Sequence, residues 1–168
     1  MTDAERHSID PPTEAVAAIA LGANLGDRAA ALSSALAMLD AEPGVRVLSV
    51  SGTLTTEAVG GPEGQPDYFN ACALLATVLA PRVLLDRMLA IEAEHGRDRA
   101  TERRWGPRTL DLDLLTHGER IIEEPGLSLP HPRLTVRRFV LEPLCEIAPD
   151  LVIPGTGRAV REHLERLS

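Results

Sequence analysis

The sequence predicts an α+β fold of the ferredoxin-like, split βαβ type: an antiparallel sheet with helices packed on one face. Three observations favour it. Apolar residues follow strand and helix spacing in alternate segments, in the order β-α-β-β-α-β. The 168 residues suit one domain with a proper core. Glycine and proline separate the segments, and no internal repeat is visible.

The first half of the chain supplies the β-α-β-β part of this order. Residues 16–21 form an apolar run typical of a buried strand. Asp27 stands at a helix N-cap position, and leucines then recur at helical spacing. Residues 45–54 alternate as a second strand. A loop rich in glycine and proline, 56–67, leads to a third strand at 68–78.

The second half supplies a helix, a strand and a closing helical region. Pro81 is well placed to open the helix, and Gly96 ends it. Residues 97–108 form a polar loop dense in arginine, and residues 110–115 form the fourth strand. The remaining predicted elements are a hairpin around residues 117–118 and two helices, at about 136–147 and 159–167.

The N-terminal residues and the cysteines indicate the cellular compartment of the protein. Residues 1–14 are polar and have no hydrophobic secretory core, so we interpret them as a flexible tail before a single domain, 15–168. No apolar run approaches the ~20 residues of a membrane span. Cys72 and Cys145 are predicted to be buried free thiols of a reducing compartment. We therefore expect a cytoplasmic protein with no membrane partner.

Charge is distributed unevenly along the chain. The net charge of −8 argues against a nucleic-acid partner, because phosphate backbones are held by excess positive charge. All 17 basic residues are arginine, which excludes a Walker-A loop and a kinase-type lysine. Many of the arginines cluster in two windows, 97–108 and 133–138. A solvated face explains any single arginine, but such clusters in an acidic protein indicate an anionic ligand.

Two aspartates on the fourth strand are candidate metal ligands. Alternation puts Asp111 and Asp113 on one face of the strand, roughly 7 Å apart at the backbone. Mg²⁺ prefers one or two carboxylates together with substrate phosphates. The alternative is an acidic edge strand that prevents aggregation. The arginine loop just before this strand favours the metal and phosphate reading.

The few aromatic residues and one histidine are candidates for ligand contact. The chain has one Trp, one Tyr and two Phe. Tyr68, Trp105 and Phe139 lie beside polar or arginine-rich stretches and can stack on a flat ligand, whereas Phe69 is expected in the core. His131, between two prolines, is either a hydrogen-bonded turn residue or a ligand contact. The other histidines show no zinc-site pattern.

Five segments carry a family resemblance. Residues 104–115 read Arg-Trp-Gly-Pro-Arg-Thr-Leu-Asp-Leu-Asp-Leu-Leu. This stretch resembles the signature of the 6-hydroxymethyl-7,8-dihydropterin pyrophosphokinase family of folate biosynthesis. The other segments resemble the same family in order, and they are 19–27, 65–71, 130–133 and 137–141.

The resemblance implies a monomer that moves pyrophosphate from ATP to the hydroxymethyl oxygen of the pterin and releases AMP. It implies that Asp111 and Asp113 bind two Mg²⁺ ions, and that Arg97 and Arg108 contact the transferred phosphates. The implied ATP contacts are Arg99, Arg104, Leu114, Ser128 and His131. The implied pterin contacts are Thr56, Glu57, Val59, Tyr68, Asn70, Trp105 and Phe139. Glu92 and Arg137 are implied as supporting residues.

Two other classes of protein stay open on the residues alone. One is a non-catalytic ferredoxin-like module that binds a small ligand, although such a module has no use for a carboxylate pair facing an arginine loop. The other is an RNA-binding sheet of the same topology. That class needs aromatic residues on central strands and a basic face, which this acidic chain does not offer.

Overall fold

One antiparallel sheet organises the computed structural model, which describes residues 13–58, 60–98, 100–101 and 106–168. The elements up to the main sheet's last strand are β1 (Ala15–Ala23), α1 (Arg28–Ala41), β2 (Val45–Val50), β3 (Leu54–Thr56), β4 (Tyr68–Thr77), α2 (Pro81–Glu94) and β5 (Asp111–His117). The elements that follow are β6 (Ile122–Glu124), β7 (Leu127–Leu129), a 3-10 turn (Leu134–Val136), α3 (Arg138–Ile147), β8 (Val152–Ile153), β9 (Arg158–Ala159) and α4 (Val160–Arg166).

The order of the strands confirms the predicted fold class. The sheet runs β2-β4-β1-β5, and β3 also pairs with β4. The β1–β4, β1–β5 and β2–β4 pairs are all antiparallel. Because β1 lies between β4 and β5, both of its edges are hydrogen-bonded, and Ala17, Ala18 and Ile19 are fully buried. The elements follow the predicted β-α-β-β-α-β order along the chain, except that the predicted second strand is divided into β2 and β3.

The expectation that the helices pack on one face is wrong. Ile19 of β1 packs with residues of α1 and α2, whereas its neighbours Ala18 and Ala20 pack with residues of α3 and α4. Helices therefore cover both faces of the sheet. The physical reason lies in β1 and β4, whose residues are apolar on both faces rather than on alternate positions. A strand of this kind needs cover on both sides.

Two predicted boundaries also differ. The predicted strand 45–54 is broken at Ser51, whose hydroxyl accepts the Cys72 backbone N–H at 2.9 Å and donates to the carbonyl of Gly52 at 2.8 Å. The short β3 then begins at Leu54. Gly118 does turn the chain, but β6 pairs with β7, so the hairpin lies later than expected.

The remaining sequence predictions have mixed outcomes. Cys72 and Cys145 are free thiols, of which Cys72 is buried and Cys145 is half-buried. No helix among the described residues is long and apolar enough to span a bilayer. The predicted tail, 1–14, lies outside the described residues except for its last two positions. The boundaries of tail and domain therefore stay predictions.

Candidate active site

A cleft of about 390 Å³ opens beside β5 on the face of the sheet that α3 covers. Alternation along β5 sends the side chains of Asp111 and Asp113 into this cleft, while Leu112 and Leu114 pack in the core. The orientation of the two aspartates is therefore as predicted. The full lining is Ala20, Leu21, Gly22, Thr56, Glu57, Tyr68, Asn70, Ala71, Arg108, Asp111, Asp113, Arg133, Arg137, Phe139 and Val140.

A buried ion-pair network fixes one side of the cleft. Nη1 of Arg97 lies 2.6 Å from Oε2 of Glu92 and 2.6 Å from Oδ1 of Asp111. The same Glu92 oxygen accepts the backbone N–H of Leu112 at 2.8 Å. The side chains of Arg97 and Glu92 are each 2% exposed. Glu92 thus joins the end of α2 to β5 and compensates the buried charge of Arg97.

The two aspartates have different surroundings. Nη1 of Arg108 donates to Oδ2 of Asp111 at 3.1 Å, so each oxygen of Asp111 contacts one arginine. Among the residues that the structure describes, the arginine that pairs with Asp113 is Arg137, whose Nη1 lies 4.0 Å from Oδ2. Burial, followed by repulsion from Asp111, raises the pKa of Asp113 to about 7. The charge of Asp111 is therefore compensated by ion pairs, whereas the raised pKa of Asp113 favours its protonated form.

His131 is both a turn residue and a neighbour of Asp113. Its Nδ1 accepts the backbone N–H of Arg133 at 3.2 Å, so the neutral ring carries its proton on Nε2. That Nε2 lies 3.9 Å from Oδ1 of Asp113, too far for a direct hydrogen bond. Burial, followed by the charge of Arg137, lowers the pKa of His131. The ring is therefore neutral near pH 7, and this contact is not an ion pair.

Aromatic and amide side chains also line the cleft. Tyr68 and Phe139 both line it, and the guanidinium of Arg137 lies 5.5 Å from the centre of the Phe139 ring. Nδ2 of Asn70 donates to the hydroxyl of Thr56 at 2.8 Å. Phe69 instead packs against the core, as predicted. The cleft thus combines a flat apolar surface with polar groups at its edge.

Some predicted residues lie away from the cleft. The Leu114 side chain is 4% exposed and packs in the core, so only its backbone could meet a ligand. The hydroxyl of Ser128 donates to Oε2 of Glu123 at 3.3 Å, and Ser128 does not line the cleft. Four further predicted contacts lie outside the described residues, namely Val59, Arg99, Arg104 and Trp105.

The cleft also contains residues to which the sequence reasoning gave no role. Arg133 lines it and belongs to the second arginine window, so a signal was present. Ala20 and Gly22 line it from β1, where nothing in their type distinguishes them from core residues. A Cβ on Gly22 would stand 3.4 Å from Oδ1 of Asn70, so the glycine leaves room for that amide.

Comparisons with known proteins identify the family of this chain. The family model for 7,8-dihydro-6-hydroxymethylpterin-pyrophosphokinase (HPPK) matches residues 18–149. The chain is similar to a 2-amino-4-hydroxy-6-hydroxymethyldihydropteridine pyrophosphokinase of Synechocystis sp., with 43% identity over 151 residues that cover 90% of this chain and 75% of that protein. It is also similar to the Pseudomonas aeruginosa protein of the same name, with 44% identity over 146 residues that cover 87% and 88%.

Solved structures agree on the fold. A crystal structure of Plasmodium falciparum HPPK-DHPS superposes with a TM-score of 0.70 at 13% sequence identity. The match covers 92% of this chain and 43% of that longer chain. From the family match, the identity to its relatives and the common fold, we conclude that the chain belongs to the 7,8-dihydro-6-hydroxymethylpterin-pyrophosphokinase family.

Proposed function

We propose that this chain transfers the pyrophosphoryl group of ATP to the hydroxymethyl oxygen of 6-hydroxymethyl-7,8-dihydropterin and releases AMP, with Mg²⁺ held at Asp111 and Asp113. Pyrophosphate transfer to hydroxymethyldihydropterin, a step of folate biosynthesis, is the activity of the family. One observation supports the proposal most: the carboxylate pair of β5 lines a cleft that is also lined by arginines and by the rings of Tyr68 and Phe139.

The donor set fits Mg²⁺ that is shared with a nucleotide. Among the described ranges, no group of three or more His, Cys, Asp or Glu side chains could hold a metal. Asp111 and Asp113 would hold Mg²⁺ with two carboxylates, and waters and phosphate oxygens would supply the other ligands. Bound there, Mg²⁺ would offset the negative charge on the phosphates. Within the described part of the chain, Asp113 pairs with Arg137 only at 4.0 Å, so it would be the more available of the two ligands.

The arginines fit the phosphate chain. Arg97 contacts Oδ1 of Asp111 and Arg108 contacts Oδ2, so both guanidinium groups lie beside the proposed metal site. Guanidinium groups donate in a fork that matches phosphate oxygens, and transfer of phosphoryl groups depends mainly on positioning and charge neutralisation. We propose that Arg99, Arg104, Leu114, Ser128 and His131 contact ATP, as the resemblance implies.

The aromatic and amide side chains that line the cleft fit the pterin. Stacking between Tyr68 and Phe139 would hold the ring, while Asn70 and Thr56 would hydrogen-bond its polar edge. In the reaction, the hydroxymethyl oxygen forms a bond to the β-phosphorus and loses its proton to solvent. The bond from the β-phosphorus to the oxygen that bridges the α- and β-phosphates breaks, and that oxygen leaves as part of AMP.

A monomeric state, a cytoplasmic location and the lack of nucleic-acid or membrane partners stay predictions.

Product analysis tests the proposal. Purified protein given ATP, Mg²⁺ and the hydroxymethylpterin is expected to form AMP and pterin pyrophosphate in equal amounts, measured by ion-exchange chromatography. Omitting Mg²⁺ with a chelator present is expected to stop the reaction. ADP as the nucleotide product would contradict pyrophosphoryl transfer. Ligand binding without turnover, independent of Mg²⁺ in calorimetry, would instead identify a non-catalytic binding module.

A further inference from the structure

Asn24, in the turn after β1, is a buried polar residue that does not line the cleft. Its exposure is 1%, although its amide is one of the most polar neutral side chains. A buried amide needs partners for its donors and its acceptor. Asn24 finds them in two segments that are distant in sequence, and each of these segments leads directly to residues that line the cleft.

The first segment carries Arg108. The backbone N–H of Arg108 donates to Oδ1 of Asn24 at 2.8 Å, and the backbone N–H of Asn24 donates to the carbonyl of Arg108 at 3.0 Å. Asn24 therefore holds both backbone polar groups of Arg108. The Arg108 guanidinium reaches Oδ2 of Asp111 from this fixed backbone position. A shift of the backbone would move the guanidinium away from the phosphate site.

The second segment is the loop 60–67. Nδ2 of Asn24 donates to Oε1 of Gln65 at 3.2 Å and to the carbonyl of Pro66 at 3.1 Å. Nε2 of Gln65 donates onward to the carbonyls of Gly60 and Pro62. This loop leads directly into Tyr68, which lines the cleft. Asn24 is thus in contact with the pterin side as well as the phosphate side.

We propose that Asn24 is a positioning residue, which holds Arg108 and the loop 60–67 in one register so that phosphate and pterin meet in line. The proposal rests on the proposed function, because it assigns Arg108 to the phosphates and the Tyr68 end of the loop to the pterin. The amide suits this task chemically. It accepts from one segment and donates twice to the other, whereas a carboxylate would lose the donors and a hydroxyl has only one.

The expected effect is on rate. Asn24→Ala removes the side-chain hydrogen bonds to both segments and keeps only the backbone bond to the Arg108 carbonyl. We expect the single-turnover rate constant at saturating enzyme to fall about 10–100-fold, as misplacement by about 1 Å can cause. Gln65→Ala loosens only the loop, so we expect a higher KM for the pterin with a nearly unchanged rate constant. Thr156→Ala is the matched control. It also removes several hydrogen bonds, but in the β8–β9 turn outside the cleft.

A double-mutant cycle separates positioning from general stability. If Asn24 acts through Arg108, adding Asn24→Ala to the Arg108→Ala variant should lower the single-turnover rate constant by less than about 3-fold. The reason is that the effects of interacting residues are not additive. The single-turnover rate constant is independent of the folded fraction, so a merely structural role would leave it unchanged. If Asn24→Ala does not fold, Asn24→Ser serves in the same cycle.

The outcomes distinguish the two proposals. Wild-type protein that forms no AMP would overturn the proposed function. Active wild-type protein, together with an Asn24 variant that keeps the wild-type rate constant, would overturn only the role of Asn24. The role would also be overturned if Asn24→Ala lowered the rate constant by the same factor in the Arg108→Ala variant as in the wild type. Asn24 would then act independently of Arg108.

Discussion

Replacing Asp113 by asparagine is expected to abolish turnover and, at the same time, to stabilise the ligand-free protein above pH 7. The loss of turnover follows if Asp113 holds Mg²⁺ on the transferred group, and we expect about 1,000-fold or more. The gain in stability follows from its carboxyl group, whose pKa is raised by burial and by Asp111 to about 7 in the fold. The carboxylate of Asp113 is therefore expected to be required for turnover and to lower the stability of the ligand-free protein.

The sign of the pH dependence follows from proton linkage. The folded state binds the Asp113 proton more tightly than the unfolded state, whose pKa is near 3.8. Stability contributed by this site is therefore lost as pH rises from about 4 to 7. Asparagine does not ionise, so Asp113→Asn should raise the free energy of unfolding by about 1–3 kcal/mol at pH 8. The gain should be smaller at pH 5.

Asp111→Asn is the matched control, the same change two residues away on the same strand. It is also expected to abolish turnover, but to lower the stability, because Arg97 and Arg108 both lose a carboxylate partner. Urea unfolding of both variants in chelator, at pH 5 and pH 8, gives the comparison. Equal losses of stability in the two variants would contradict the different surroundings assigned to them.

Glu92→Leu is expected to lower the free energy of unfolding by about 3–5 kcal/mol and to reduce turnover strongly. The change leaves the buried guanidinium of Arg97 with less compensation and removes the acceptor for the Leu112 N–H. A loss of this size is a large part of the stability of an ordinary domain. Turnover should fall because Arg97 and the β5 backbone beside Asp111 lose their common anchor.

The exposed pair of Glu14 and Arg46 provides the control for this change. Oε1 of Glu14 lies 3.4 Å from Nη2 of Arg46, and the two side chains are 58% and 62% exposed, respectively. Glu14→Gln should therefore change stability by less than about 1 kcal/mol and leave turnover unchanged. Chemical denaturation and steady-state assays measure both effects. Similar small losses in the two variants would refute the anchoring role of Glu92.

Local patterns predicted the parts of the fold and site that depend on local spacing. The alternation of aspartate and leucine along 111–114 correctly gave the side chains that enter the cleft. The N-cap prediction was also correct, since the Asp27 carboxylate accepts the Ala30 N–H at 3.0 Å. Both features are decided within a few residues of chain, so one sequence is enough to show them.

Features that depend on distant contacts could not be predicted in this way. From the sequence, residues 22–26 are only a glycine-containing turn between the first strand and Asp27. In the structure, Asn24 hydrogen-bonds residues that are 41, 42 and 84 positions away. The apolar run at residues 16–21 did predict a buried strand, but it did not show that helices cover both faces of the sheet. Only the packing of α3 and α4 shows that.

The most direct test of the metal and phosphate site is a crystal structure with a non-hydrolysable ATP analogue, the pterin and Mn²⁺ in place of Mg²⁺. Anomalous scattering locates the Mn²⁺ independently of the protein atoms. We expect Mn²⁺ bound by the carboxylates of Asp111 and Asp113 and by phosphate oxygens, with Arg97 and Arg108 on the same phosphates. Mn²⁺ bound only to phosphates, with neither aspartate among its ligands, would contradict the account.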